Sequence, residues 1–225
     1  MQQPPQQNRR SRPFPTLCPI LDYACVFPSG APEPQARSNR LQSLARELAA
    51  AGVTLLQYRN KLDDDLLFTE DALAIRAAAP QMKLILNDRA GLVAATGCDG
   101  VHLGQDDLSP SAARALLGPR ALIGFSTHNT GQLRIADRQP VDYIAIGPVF
   151  PTLTKSDASP VIGLAGVARA RALTAKPIVA IGGITLENAP SVYDAGADSV
   201  AVISAIFAPA RSPGHSARDF LRIFE

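Results

Sequence analysis

Asp88 and Asp107 are the residues from which a chemistry can first be argued. Each follows a short apolar run, 83–86 and 101–103, within the stretch MKLILNDRAGLVAATGCDGVHLGQDDL. A helical-looking segment, 89–96, joins the two runs. Strand, helix and strand so close together make a βαβ unit, whose parallel strands open their carboxyl ends on one side of the sheet. The two carboxylates are therefore brought together. They repel unless a positive charge sits between them, and oxygen ligands alone suit a hard dication such as Mg2+. The alternative is a pair of helix-capping aspartates, which strand-to-helix turns often carry.

Cations follow another apolar run. In GVTLLQYRNK the side chains of Gln57, Arg59 and Lys61 alternate, so an extended strand end turns all three to one side. With Lys155 they make three cations facing two carboxylates, the charge pattern that binds a magnesium diphosphate and stabilises its departure. An Arg-x-Lys without such neighbours reads as solvated loop. Gly182-Gly183 and Ile203-Ser204 close two further runs. In many barrels the backbone N–H groups at such places hold a phosphate monoester, a simple turn being the alternative. A phosphate site beside a diphosphate site implies two substrates. His128 is either an acid–base group or a wall of the pocket, and His102, inside a run, reads as a packed strand residue. No Ser, His and Asp set has the logic of a nucleophilic triad.

The elements that must position these groups alternate along the chain. Candidate strands span 17–21, 53–58, 83–86, 101–103, 122–125, 143–146, 178–181 and 199–203. They are short and rich in Val, Ile and Leu, as strands covered on both faces must be. Helical spacing appears at 41–50, 66–78, 92–96, 111–117, 132–137, 167–173, 186–195 and 218–224. Eight alternating pairs predict a single-domain α/β protein, a (β/α)8 TIM barrel, with its chemistry at the carboxyl ends of the strands. Gly52, Gly97 and Gly196, each at a helix end before a strand, mark three equivalent corners at the other end. The loop 147–163 carries Pro148, Pro151 and Pro160 and is long enough to be a lid that excludes water.

Composition narrows the partners. The 225 residues carry a net charge of +2, of which Arg9, Arg10 and Arg12 supply +3, leaving residues 16–225 at −1. The body therefore lacks the basic balance of a nucleic-acid binder, and no apolar run is long enough to span a membrane. Small phosphorylated molecules are the expected partners, with a homo-oligomer left open. Residues 1–15, rich in Gln and Pro, read as a disordered tail, with the catalytic barrel over 16–225. Cys18, Cys25 and Cys98 are odd in number and lack metal-ligand spacing, which suits inert thiols in a reducing cytoplasm.

From about Pro19 to Phe207 the motifs resemble those of the thiamine phosphate synthase family. GVTLLQYRNK is similar to the family's segment ending in Gln-x-Arg-Glu-Lys; LILNDRA and DGVHLGQDDL resemble its metal segments. IGFSTH, AIGPVFPTLTKSDA, VAIGGI and GADSVAVISAI complete the set in order. The resemblance implies a transferase that joins a hydroxymethylpyrimidine pyrophosphate to a thiazole phosphate, releasing pyrophosphate with Mg2+ as cofactor. It implies Asp88 and Asp107 as metal ligands. Gln57, Tyr58, Arg59, Asn60, Lys61, Asn87, Ser126 and Lys155 would line the pyrimidine pyrophosphate site, with Arg59, Ser126 and Lys155 as its catalytic members. Thr152, Thr154, Gly183, Ile203 and Ser204 would hold the thiazole phosphate. The implied chemistry is dissociative: pyrophosphate leaves, the pyrimidine methylene becomes a cation, and the thiazole nitrogen captures it.

Two positions depart from the family pattern: Asn60 stands where Glu is common, and Tyr58 where an aliphatic residue is frequent. The first removes a negative charge beside two cations. Two rival functions remain, a thiazole tautomerase-like isomerase that needs no diphosphate site and a non-catalytic barrel that binds a thiamine precursor. Asp88, Asp107 and Lys155 together count against the isomerase.

Overall fold

The computed structural model describes residues 14–30, 32–152, 160–207 and 211–223. Eight parallel strands close on themselves in sequence order: β1 Leu17–Asp22, β2 Leu55–Arg59, β3 Lys83–Asn87, β4 Gly100–Leu103, β5 Leu122–Thr127, β6 Tyr143–Ile146, β7 Ile178–Ile181 and β8 Ser199–Val202. Between and after them run α1 Tyr23–Val26, α2 Pro34–Ala50, α3 Asp65–Ala78, α4 Val93–Thr96, α5 Pro110–Leu117, α6 Thr130–Asp137, α7 Gly163–Arg171, α8 Ala189–Asp194, α9 Ser204–Phe207 and α10 Pro213–Arg222. The predicted alternation is therefore the observed one. Two helices begin earlier than their apolar spacing announces. A proline at the first helical turn starts α2 at Pro34 and α10 at Pro213, where the missing N–H costs nothing.

Strand pleating divides the apolar side chains into two sets. One set, including Cys18, Ile20, Leu55, Ile85, Tyr143, Ala145, Val179 and Ala201, fills the barrel; the larger set lies between the barrel and its helices. Of the stretch 1–15 expected as a tail, only Phe14 and Pro15 are among the described residues. Phe14 is buried and its ring lies 5.0 Å from that of Tyr143, an aromatic contact that anchors the chain to the barrel interior before β1 begins. Residues 1–13 lie outside the described residues.

The amino end of the barrel is held by a device used three times. Asp99, Asp142 and Asp198 stand just before β4, β6 and β8. The backbone N–H of each donates to the carbonyl of Leu84, Ile123 or Ile178 on the preceding strand, and its carboxylate accepts from the N–H of that same residue. Arg76, Arg114 and Arg171, from α3, α5 and α7, pair with the three carboxylates. Gly52, Gly97 and Gly196 have φ of +98°, +61° and +107°, so the corners do require glycine's left-handed freedom. A hollow of about 510 Å3 at this end is lined partly by Asp99 and Asp142, and so belongs to the fold's clasps.

Replacing Asp198 by Ala removes the carboxylate that the Ile178 N–H and Arg171 Nη1 share, a loss worth about 1–3 kcal/mol. Urea unfolding should move its midpoint down accordingly; an unchanged midpoint would mean the clasp contributes nothing.

Candidate active site

The carboxyl edge of the barrel collects the charged groups. Asp22 ends β1 and Arg59 ends β2, and the two are register partners. Their side chains form an ion pair, both largely buried. Asp22 also caps α1, accepting from Cys25 N at 3.1 Å. Gln57, two residues before Arg59 and 3% exposed, points into the barrel, where Tyr143 is its polar neighbour. Lys61 lies past the strand and donates to Asp88 Oδ2 at 2.5 Å. Gln57, Arg59 and Lys61 thus share the mouth, though each reaches a different neighbour.

Tyr58 does not join them. Side chains alternate along a strand, so Tyr58 faces the helices, fully buried against Phe68 with its hydroxyl donating to Asp71 at 2.6 Å. It is excluded from direct substrate contact. Asn60 is divided between the two sides: it lines the cavity at the mouth, but its amide nitrogen lies 3.5 Å from the Tyr58 hydroxyl.

The expected βαβ geometry holds around the two aspartates. β3 and β4 are parallel neighbours with Asn87 opposite His102, and Asp88 N–H continues the ladder by donating to the His102 carbonyl at 2.8 Å. Asp88 sits at φ +64°, alone among the described non-glycine residues in having positive φ. A residue held in that sparsely populated region costs free energy, which is usual where a side chain must be aimed. Asp107 accepts from Gly104 N–H at 2.7 Å, folding the loop after β4 back over the site. Burial first, and then the adjacent Asp88 carboxylate, push the Asp107 carboxyl above its ordinary range; Lys61 opposes them.

Asn60, Lys61, Asp88, Arg89 and Asp107 line a cavity of about 320 Å3. Among the described residues no group of three or more His, Cys, Asp or Glu is placed to hold a metal. Two carboxylates that resist sharing negative charge, without a protein cage, fit Mg2+. That ion keeps several waters and takes its remaining ligands from phosphate oxygens.

The floor of the site is a row of hydrogen bonds across three strands. His102, Gly124 and Tyr143 are successive register partners on β4, β5 and β6. Gly124 has no side chain, so His102 and Tyr143 meet across it, Nδ1 to Oη at 2.8 Å with rings stacked. His102 Nε2 lies 2.8 Å from Ser126 Oγ. Burial holds the Tyr143 phenol well above its ordinary range, so it stays protonated. Either imidazole tautomer completes a row from Tyr143 through His102 to Ser126. His102 is thus packed, as its strand position predicts, and also oriented toward a site residue. His128 donates from Nδ1 to the Gly147 carbonyl, 2.8 Å away, tying the β5 exit to that of β6.

The second cluster lies across the mouth. Val149 N–H donates to Ile181 O and Phe150 N–H to Gly182 O, at 2.9 and 3.0 Å, running the segment after β6 along the end of β7. Phe150 and Pro151 are thereby brought against Gly183, whose φ is +62° and where an added Cβ would meet Phe150 Cβ at 2.8 Å, with Thr152 next in the chain. Ile203, in the interior set, and Ser204, opening α9, follow on the adjacent strand. Thr154 and Lys155, with the rest of 153–159, lie outside the described residues.

Asp22, Arg89 and Tyr143 are site members that the sequence argument passes over. Asp22 could have been found, since it follows the first apolar run as Asp88 follows the third. Arg89 adjoins Asp88 in the sequence and donates to Asp65 Oδ1 at 2.6 Å. Tyr143 gives no such signal, because nothing in its own segment says which way it faces.

A closed parallel barrel with carboxylates, cations and a glycine-lined turn gathered at its carboxyl edge defines a (β/α)8-barrel enzyme. A family model described as thiamine monophosphate synthase matches residues 31–206. A thiamine-phosphate synthase from Koribacter versatilis (strain Ellin345) is 50% identical over 211 residues, covering 93% of this chain and 96% of that protein. One from Azorhizobium caulinodans is 45% identical over 170 residues, covering 75% and 80%. Among solved structures, thiamine phosphate pyrophosphorylase from Pyrococcus furiosus superposes with a TM-score of 0.76 at 29% identity, covering 93% and 95%. The chain belongs to the thiamine monophosphate synthase family, whose members are transferases.

Proposed function

We propose that this chain condenses a hydroxymethylpyrimidine pyrophosphate with a thiazole phosphate, giving thiamine phosphate and pyrophosphate. The observation that carries the reading is the pairing of Asp88 and Asp107 in one cavity with Lys61 and Arg89, across the mouth from a separate turn at Gly183 and Ser204. One cluster suits a diphosphate and the other a monoester. Asp88 and Asp107 would hold Mg2+, which when bound supplies positive charge to the diphosphate oxygens.

The protein's own groups then have defined tasks. Arg59, fixed by Asp22, and Lys61 bind the departing diphosphate, and their charge offsets the negative charge it gains as the carbon–oxygen bond breaks. Asn87, buried at the end of β3, and Gln57 orient the pyrimidine from the floor. Ser126, its hydroxyl oriented by His102, faces the same ring. Lys155 is assigned to the diphosphate, and Thr152, Thr154, Gly183, Ile203 and Ser204 to the thiazole phosphate. The thiazole nitrogen supplies the electron pair for the new bond, so the protein need supply no nucleophile. The three thiols suit that role poorly: burial raises each, Cys18 to about 12, and none is in a disulfide. Free thiols also support a cytoplasmic setting. Among the described residues no helix is long and apolar enough to cross a membrane.

Incubation with both substrates and Mg2+ should release pyrophosphate and thiamine phosphate in equal amounts. Isomerised thiazole phosphate without pyrophosphate would establish the tautomerase instead, and binding without any product would establish the sensor.

A further inference from the structure

Behind the cation-bearing end of β2 lies a buried row of polar groups that the proposed chemistry does not use. Arg37 of α2, 6% exposed, donates from Nε to Asp71 Oδ1 and from Nη2 to Glu70 Oε2, each at 2.7 Å. Asp71 of α3, 1% exposed, accepts on its other oxygen from Tyr58 Oη at 2.6 Å. Asn60 Nδ2 faces the same hydroxyl at 3.5 Å, while Asn60 Oδ1 accepts from Leu62 N–H at 2.9 Å. The row therefore runs from the helix layer to the turn between Arg59 and Lys61.

Proton counting fixes its direction. Tyr58 has one hydroxyl hydrogen and gives it to Asp71, so toward Asn60 it can only accept. That turns Asn60 with its amide nitrogen inward and its oxygen toward Leu62, closing an Asx turn over 60–62. The turn redirects the chain beyond β2, and Lys61, whose side chain is 58% exposed, reaches Asp88 from it. A long exposed side chain samples many rotamers, so the direction of its backbone decides where its charge is found. Burial penalises the Asp71 charge, and the Tyr58 and Arg37 contacts offset that penalty, so the row is satisfied only as a unit.

We infer that Arg37, Asp71 and Tyr58 are positioning residues that act through Asn60 to aim Lys61 at the diphosphate subsite. The inference rests on reading Lys61 and Asp88 as that subsite. It makes the two departures from the family pattern, Tyr58 and Asn60, one device: each is the other's contact.

The test uses Tyr58→Phe, Asn60→Ala and the double variant of the full chain. Calorimetric titration with magnesium pyrophosphate needs no turnover, and steady-state kinetics adds KM for both substrates. Each single change should weaken magnesium pyrophosphate binding and raise KM for the pyrimidine substrate about tenfold, the size of one lost charge-assisted contact. KM for the thiazole phosphate should stay within about twofold, and the double variant should be no weaker than Asn60→Ala alone, because residues in one row are not additive. Wild-type affinity in Tyr58→Phe overturns the inference, as does a double variant weakened by the product of the single effects. Equal rises in both KM values would reveal general loosening and overturn it too. Should Tyr58→Phe fail to fold, Asn60→Ala decides alone, and unchanged binding there refutes the assignment. A wild-type protein that takes up no magnesium pyrophosphate removes the subsite itself, an outcome distinct from wild type and variants binding alike.

Discussion

Asp88→Asn is expected to reduce turnover about a thousandfold, because a carboxylate holding a metal against a leaving group contributes several kcal/mol to the transition state. Asn is chosen over Ala because Asp88 sits at φ +64°, and Asn tolerates the left-handed region best among ordinary side chains. The substitution removes charge while keeping shape. It also leaves Lys61 without its anionic partner, so binding of the diphosphate need not fall in step with rate. Initial rates of pyrophosphate release across a Mg2+ titration provide the measurement. Turnover within threefold of wild type at saturating Mg2+ would remove Asp88 from the metal site.

Gly124→Ala should damage the barrel and the site together. Its Cβ would land on the Tyr143 phenol and 2.5 Å from His102 Nδ1. Neither neighbour can retreat: Tyr143 is 1% exposed with its ring packed at a tilt against Phe14, and His102 is bonded on both ring nitrogens. Overpacking so confined costs about 3 kcal/mol, which in a domain of this size lowers Tm by about 6–12 °C. Rate should fall as well, since displaced His102 no longer orients Ser126. Thermal unfolding and kinetics on the same preparation check both consequences. A Tm within about 2 °C of wild type would show that the His102–Tyr143 contact across β5 is not as tight as described.

These expectations differ in how far they could be reached without coordinates. The adjacency of Asp88 and Asp107 follows from chain order alone, since a short βαβ unit leaves its strands parallel and its two exits side by side. The inward direction of Gln57 and Arg59 follows from pleating, and the same rule places Tyr58 outward once the family pattern is set aside. The His102–Tyr143 contact could not be reached that way. It needs the register of three strands at once and a glycine at the crossing point.

The amino-acid sequence by itself determined the eight-fold alternation, the closed barrel and the edge at which charge gathers, because periodicity, strand length and parallel connection are local properties of the chain. Tertiary structure alone decided which charges hold one another: Asp22 with Arg59, Arg37 with Asp71, and His102 between Tyr143 and Ser126. It likewise decided that ordered packing begins by Phe14. Those contacts join residues up to 129 positions apart, Phe14 to Tyr143. Their geometry exists only after the strands have registered around a closed cylinder, so no window of sequence contains it.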